Sequence, residues 1–263
     1  DFYQFLFTQT KQQFEADHLF DDNAKIEIRE NSFEQIVKEL EIYNLSTTSD
    51  DVKGIAFEQF LGKTFRGELG QFFTPRTIVD FMVSILDPQE GEFVCDPCCG
   101  SGGFLIKAFE YVREHIEKDV ETQKESIKQE YYGEGYEKLS ENDKQEIEAK
   151  VSNAFSHLNE ELNINNEKGR LRSLSFDCIY GTDANPRMAR TAKMNMIMHG
   201  DGHGGVHHHD GLLNVNGIFE NRFDIILTNP PFGARVEKDL KISDADKFTD
   251  QDKINTYIKR YGD

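Results

Sequence analysis

The sequence has few basic residues relative to its acidic ones and no long apolar stretch. Its 263 residues include 30 lysines and arginines against 48 aspartates and glutamates, which gives a formal net charge of −18 at pH 7. Because phosphate contacts need lysine and arginine, this balance argues against unaided binding to nucleic acid. No run of about 18 apolar residues occurs, so no membrane span is predicted.

Cysteine is also scarce, and the chain has only Cys95, Cys98, Cys99 and Cys178. Cys95 and Cys98 have the spacing of a zinc-ligand pair, but a second pair at a useful spacing is missing. Four histidines also lack firm ligand spacing, namely His203, His207, His208 and His209. We therefore predict no metal site, and reduced thiols of a cytoplasmic protein rather than disulfides.

The stretch 93–104 reads FVCDPCCGSGGF and combines a strand, a glycine turn and a helix start. Residues 93–95 form an apolar run that Asp96 and Pro97 end, and helical spacing of apolar residues begins at Phe104 and extends to about Ile116. Two interpretations stay open. The stretch is either a tight turn between packed elements or a cradle in which backbone N–H groups face a nucleotide-like cofactor.

Three further strands are predicted at 178–183, 206–209 and 223–228, and helical patterns separate them. Strands that alternate with helices predict an α/β fold with a doubly wound, mostly parallel sheet. Thr74 and Pro75 predict a helix start, and the helix should end before Asp87 because a proline follows. The segment 117–172 is rich in Glu and Lys, and we interpret it as a charged helical insertion, either a solvated face or a docking surface.

Two other stretches complete a pattern: GELGQFFTPR at 67–76 and FDIILTNPPF at 223–232. In this order with the glycine turn, they resemble the adenine-N6 DNA methyltransferases, above all the modification subunit of type I restriction-modification systems. The resemblance runs from about 50 to 233. It implies a Rossmann-like, S-adenosylmethionine-dependent methyltransferase domain at 67–263, truncated after the fourth strand, preceded at 1–66 by the tail of a helical domain.

The resemblance also implies which residues bind the cofactor. They are Gln71, Phe72, Phe73, Thr74, Pro75, Arg76, Asp96, Pro97, Gly100, Ser101, Gly102, Gly103, Phe104, Asp183 and Asp210. Asp183 is expected to bind the ribose hydroxyls, with a helix N-cap as the alternative. Asp210 is expected near the adenine amino group of the cofactor, with a turn aspartate as the alternative.

The catalytic residues expected from the resemblance are Asn229, Pro230, Pro231 and Phe232. The adenine amino group is a poor nucleophile because its lone pair is delocalised into the ring. The Asn229 side-chain carbonyl and the Pro230 backbone carbonyl could accept both amino hydrogens and so favour a pyramidal nitrogen. Phe232 offers a face for a flipped-out base.

The predicted function is methyl transfer from S-adenosylmethionine to adenine N6 of DNA. In the family, a specificity subunit reads the DNA sequence, so specificity and restriction subunits are the expected partners and DNA is bound through the complex. Four alternatives stay open: a cytosine-N4 methyltransferase, a protein-glutamine methyltransferase, a nicotinamide-dependent oxidoreductase and a non-catalytic cofactor-binding fragment. DNA and protein methylation assays would separate the methyltransferases.

Overall fold

A computed structural model of the protein describes residues 2–15, 19–20, 23–44, 52, 56–57, 59, 74–201, 205–211 and 221–230. Four strands form one parallel sheet in the order β3-β2-β1-β4, with β1 at Val94–Asp96, β2 at Ile179–Asp183, β3 at Val206–His208 and β4 at Ile225–Ile226. The predicted α/β class and parallel sheet are confirmed. β4 is shorter than the predicted strand at 223–228, although Leu227 still donates its N–H to the Cys95 carbonyl at 3.0 Å.

The helices of the described residues are α1 (Phe2–Gln13), α2 (Glu30–Leu40), α3 (Arg76–Leu86), α4 (Gly103–Tyr131), α5 (Glu141–Glu161), α6 (Arg170–Ser173) and α7 (Pro186–Met198). A 3-10 turn at Tyr136–Lys138 joins α4 to α5, and a π-helical turn at Leu174–Cys178 precedes β2. α3 begins one residue after the predicted start and ends before Asp87, as predicted.

The core lies between the sheet and helix α4. On α4, Leu105, Phe109, Val112 and Ile116 are fully buried at helical spacing. The backbone of β2 comes close to this helix, since a Cβ added at Gly181 would overlap the Leu105 side chain. Glycine at that position therefore lets helix and sheet pack closely, which holds the start of α4 at the edge of the sheet.

Helix α4 does not end near Ile116, where the sequence interpretation placed its end. It continues to Tyr131, and Val120 is still buried, so the boundary at 117 lies inside one helix. The high density of charge after 117 hides this continuation in the sequence. α5 packs beside the second half of α4, with Val151 and Leu158 buried.

Arg170 joins this helical pair to the turn before β1. Its guanidinium makes a two-pronged contact with Glu90 at 2.5 and 2.8 Å, and a contact with Asp119 of α4 at 2.6 Å. Glu161 at the end of α5 lies 3.4 Å away. The Arg170 side chain, which is 24% exposed, therefore contacts three separate segments.

The N-terminal helices α1 and α2 bury no residue of their own. Gln4 fastens α1 to the following segment through the Ile26 backbone, at 2.9 Å to its carbonyl. The division at residue 66 between a helical part and the methyltransferase domain stays a prediction, because 60–73 lie outside the described residues. Within the described residues, no helix has both the length and the apolar character needed to cross a bilayer.

We predict that Arg170→Ala lowers the free energy of unfolding by about 1–2 kcal/mol, because several charge-assisted hydrogen bonds are lost from a partly buried cluster. Urea denaturation measures this change. Lys150→Ala is the matched control: its partner Glu146 lies one turn away on an exposed helix face, so the loss of stability should be clearly smaller than for Arg170→Ala. Equal effects of the two substitutions would show that the Arg170 cluster is not a structural tie.

Candidate functional site

The order of the strands determines where a ligand would bind. β1 pairs with β2 on one side and with β4 on the other: the chain runs from β1 through β2 to β3 on one side and then crosses from β3 to β4 on the other side of β1. In open parallel sheets, ligands bind beyond the carboxyl ends of the strands at such a switch point. The glycine turn, Asp183 and Asn229 all follow strand ends at this edge.

The glycine turn leads directly from β1 into α4. Gly100 and Gly102 have φ angles of 54° and 86°, a left-handed region that favours glycine. Gly102 is the N-cap residue of α4, which has no side-chain cap. A Cβ added at Gly100 or Gly103 would meet nothing within 4 Å. Space is therefore open beside Gly100 and Gly103, next to the uncapped N-terminus of α4, where backbone N–H groups can bind an anion.

Asp183 holds the turn from the side of β2. One carboxylate oxygen accepts the Gly100 N–H at 3.0 Å, and the other accepts the Asn185 N–H at 2.8 Å. The N-cap alternative for Asp183 is wrong, because the Asn185 side chain caps α7 by accepting the N–H groups of Arg187 and Met188. Each carboxylate oxygen has a second lone pair, so Asp183 can still accept hydrogen bonds from a ligand.

Buried ionisable groups surround the turn. Asp96 is 1% exposed, and burial raises the pKa of its carboxyl to about 7, against the effect of the Cys98 N–H, which donates to it at 3.0 Å. Burial also raises the pKa of Asp183. The pKa values of the Cys98 and Cys99 thiols are raised as well, chiefly by burial, so both thiols are neutral at pH 7. The turn thus lies between two carboxyl groups that a nearby cation would help to ionise.

The third predicted motif meets the turn at a cleft. Asn229 follows β4, and its amide nitrogen donates to the Thr74 hydroxyl at 3.1 Å. Both residues line the same cleft as the turn; the full lining is Thr74, Val79, Asp96, Cys98, Cys99, Gly100, Ser101, Gly103, Phe104 and Asn229. The structure therefore brings together residues of all three predicted motifs.

Other predicted site residues lie beside this cleft. Pro75 and Arg76 are exposed at the start of α3. Pro97 accepts the Thr182 hydroxyl at 2.9 Å, and a Cβ added at Gly211 would overlap its carbonyl, which brings the segment after Asp210 against the turn. Pro230 is exposed after Asn229. Five predicted residues lie outside the described part of the chain: Gln71, Phe72, Phe73, Pro231 and Phe232.

Among the residues that the structure describes, the cysteines and histidines do not form a metal centre. All four cysteines are free thiols. The His207 ring stacks on Tyr180 with centroids 5.0 Å apart. Over the residues whose positions are described, which leave out His203, no three His, Cys, Asp or Glu side chains group closely enough to hold a metal ion.

One residue at the site was missed by the sequence interpretation. Asn195 of α7 is 1% exposed and donates its amide to the Ser101 carbonyl at 2.9 Å. In the sequence, Asn195 is a polar residue on the helix face that also carries Met188, Ala192 and Met196, which are all buried. A polar side chain on a buried face needs a partner, and here the partner is the glycine turn.

Comparison with known proteins gives the family. The sequence model of the N-6 DNA Methylase family matches residues 48–143 and 153–259, which include the turn, Asp183 and Asn229. The chain belongs to the N-6 DNA Methylase family. The glycine turn and the Asn-Pro-Pro-Phe segment therefore both lie within the residues that match the family model.

Individual relatives of this N-6 DNA methylase chain are restriction enzyme subunits. It is 28% identical over 210 residues to the type I restriction enzyme EcoEI methylase subunit of Escherichia coli, covering 79% of this chain and 33% of the relative. It is 29% identical over 186 residues to the MjaIX methylase subunit of Methanocaldococcus jannaschii, covering 69% of this chain and 23% of the relative. The chain thus spans a third or less of these two relatives.

A solved structure supports the fold of this N-6 DNA methylase chain. A chain from a structure on the complex assembly and conformational transition of the type I R-M system superposes with a TM-score of 0.52 at 22% sequence identity. The similarity covers 88% of this chain and 38% of the solved chain. It agrees with the Rossmann-like arrangement of the parallel sheet.

We predict that Asp96→Asn makes the N-6 DNA methylase domain relatively more stable as pH rises. Because the pKa of Asp96 is raised from 3.8 to about 7, the folded protein keeps a proton that the unfolded chain has lost, and wild-type stability falls between these values. Asparagine does not titrate, so the stability difference between variant and wild type should move in favour of the variant by about 2–3 kcal/mol between pH 5 and pH 8.

Urea denaturation without ligand at both pH values measures this difference. Thr182→Val is the control, because it removes the uncharged hydrogen bond to Pro97 nearby and should shift stability equally at both pH values. An Asp96→Asn difference that is the same at pH 5 and pH 8 would contradict the raised pKa.

Proposed function

We propose that this chain forms the cofactor-binding and catalytic part of a DNA methyltransferase that methylates adenine N6, acting as modification subunit of a type I restriction-modification complex. The observation that carries the proposal is that Asn229, after β4, shares one cleft with the glycine turn after β1. Membership of the N-6 DNA Methylase family supports the reaction, and the methylase-subunit relatives support the type of complex.

The cleft suits S-adenosylmethionine because that molecule joins an amino acid, a sulfonium and a ribose. The uncapped start of α4 offers N–H groups for a carboxylate. The carboxyl groups of Asp96 and Asp183 favour cationic groups nearby, and Asp183 has lone pairs left for ribose hydroxyls. Gly100 and Gly103 leave space on the outer side of the turn. The residues present therefore fit this cofactor.

When bound, S-adenosylmethionine supplies a methyl group that its sulfonium makes electrophilic. The protein's task is then to position the amine. The Asn229 amide nitrogen already donates to the Thr74 hydroxyl, so its carbonyl oxygen remains to accept a hydrogen from the target amino group. The Pro230 carbonyl is proposed to accept the second hydrogen. A carboxamide is not a base, so the amine's proton passes to water after methylation.

The remaining parts of the proposal come from the sequence. Phe232 supplies a ring on which an extruded adenine stacks, as enzymes that modify bases require. The net charge of −18 leaves little positive surface for phosphates, so DNA is held mainly by other chains of the complex, which include specificity and restriction subunits. The enzyme works in the cytoplasm on cellular DNA.

We predict that Asn229→Ala, made in the full-length protein, lowers the methylation rate by two to three orders of magnitude. A hydrogen bond that strengthens in the transition state contributes roughly 2–4 kcal/mol, which corresponds to that loss. Methyl transfer from labelled S-adenosylmethionine to duplex DNA, measured with the specificity subunit present, gives the rate. Calorimetry should show cofactor affinity within a few-fold of wild type, since Asn229 acts on the target amine.

Asp183→Ala is the opposite control for that experiment. It removes the acceptor of the Gly100 N–H and the proposed ribose contact, so cofactor affinity should fall while the Asn229–Thr74 contact remains. Melting temperatures of both variants test a purely structural role. If Asn229→Ala unfolds, or keeps full activity, the catalytic assignment is wrong.

We also predict that this chain alone shows no specific DNA binding at physiological salt. Its excess of acidic residues repels phosphates, and non-specific affinity depends on lysine and arginine contacts. Electrophoretic mobility shifts with and without a specificity subunit test this expectation. A shift of one duplex sequence by the isolated chain would contradict the multi-subunit proposal.

A further inference from the structure

Asn195 is a polar side chain in the core beside the glycine turn. It is 1% exposed, and its amide nitrogen donates to the Ser101 carbonyl at 2.9 Å. Its own carbonyl oxygen is buried without a hydrogen-bond partner. Burying an amide with only part of its hydrogen bonds costs stability, so an apolar side chain of similar size would suit the core better. The contribution of Asn195 therefore lies in its contact with the glycine turn.

The first half of the turn is held by β2. Cys99 donates its N–H to the Thr182 carbonyl at 2.8 Å, and Gly100 donates to Asp183 at 3.0 Å. The second half faces α7 instead. There Gly102 lies so close to Ala192 that an added Cβ would be 3.4 Å from the Ala192 Cβ. Ala192 limits the space but cannot orient a peptide group, because it offers no hydrogen bond.

Asn195 supplies that orientation. The peptide between Ser101 and Gly102 has its carbonyl bonded to Asn195 and its N–H bonded to the Cys99 carbonyl at 2.7 Å. This peptide plane is thus fixed at both ends. The Gly102 carbonyl then accepts the Ile106 N–H at 2.9 Å, in the first turn of α4. The direction of the first free N–H groups of α4 follows from these two peptide planes.

The helix that carries Asn195 is itself anchored one turn further on. His199 Nδ1 and Glu110 Oε1 lie 2.7 Å apart, and Arg113 donates to the His199 carbonyl at 2.9 Å. Glu110 and Arg113 both belong to α4, the helix that the turn begins. α7 and α4 are therefore joined by side-chain contacts at His199, and Asn195 connects α7 to the turn.

We propose that Asn195 is a positioning residue for the cofactor, which sets the Ser101–Gly102 peptide so that the N–H groups at the start of α4 face the cleft. The inference rests on the proposed function, because it assigns the turn to S-adenosylmethionine. Asn195 does not line the cleft, so it acts through the turn and not by touching the cofactor. Its loss should affect binding more than the methyl-transfer step.

The test uses Asn195→Leu in the full-length protein. Leucine has a similar size and removes the unpaired Asn195 carbonyl oxygen, but it also leaves the Ser101 carbonyl without its donor, so the melting temperature should change little. The dissociation constant for S-adenosylmethionine, measured by calorimetry, should rise about tenfold because the turn is no longer preorganised. With the specificity subunit and duplex DNA present, kcat at saturating S-adenosylmethionine should stay within a few-fold of wild type. Backbone amides of residues 100–104 should exchange faster, even without cofactor.

Met196→Ala is the matched control, since Met196 is the next residue on α7 and is fully buried in the core. It should lower the melting temperature while leaving both the dissociation constant and exchange at 100–104 unchanged. Asn195→Met is the second variant: it also lacks the donor, and its flexible side chain can adapt to the core, so it should likewise weaken binding and speed exchange. If Asn195→Leu does not fold, Asn195→Met carries the test alone.

The outcomes separate this inference from the proposed function. Wild-type affinity for S-adenosylmethionine in both Asn195 variants, or unchanged exchange at 100–104, would overturn the positioning role and leave the proposed function intact. Failure of the wild-type protein to bind S-adenosylmethionine would overturn the proposed function and the positioning role with it. In that case, faster exchange in the variants would still show that Asn195 holds the turn.

Discussion

The pairing of β1 with β2 on one side and β4 on the other is the constraint on which the site depends. β1 leads into the glycine turn, β2 ends at Asp183, and β4 is followed by Asn229. Because parallel strands place their carboxyl ends at one edge, these groups meet although they are far apart in the chain. The cleft is therefore a property of the sheet, and none of the three motifs forms it alone.

This edge of the sheet concentrates unfavourable charge. Asp96 and Asp183 are close enough that the charge of Asp183 adds to the burial that raises the pKa of Asp96. Backbone N–H groups from Cys98, Gly100 and Asn185 offset part of the cost. A bound group with positive charge would offset more of it. Such local destabilisation, held in place by the rest of the core, is common where a protein binds a ligand.

Patterns of local sequence predicted much of this arrangement. Short apolar runs placed β1, β2 and β4, and Asp96-Pro97 with the following glycines placed the turn, because these signals depend on neighbouring residues only. The length of α4 was underestimated, since dense charge after Ile116 hid the buried Val120. The capping of α7 by Asn185 instead of Asp183 was also missed, because which of the two residues caps the helix depends on where β2 ends.

Contacts between distant segments could not be predicted in the same way. Asn195 meets Ser101 and Arg170 meets Glu90 only after the helices have packed, and nothing in the neighbouring sequence of either residue names its partner. A buried amide on an apolar helix face signals that a partner exists. It does not say that the partner is a backbone carbonyl of the turn, which only the fold determines.

The contact between Thr74 and Asn229 orients the carboxamide that is proposed for catalysis. A carboxamide offers a donor and an acceptor, and only the acceptor suits a target amine. By accepting one N–H of the Asn229 amide at 3.1 Å, the Thr74 hydroxyl fixes an orientation in which the carbonyl oxygen is left for the proposed target amine. The segment before α3 therefore contributes to the cleft through the contact of Thr74 with Asn229, in addition to any contact with a cofactor. It couples the residue proposed for catalysis to the same wall of the cleft that Val79 of α3 helps to line.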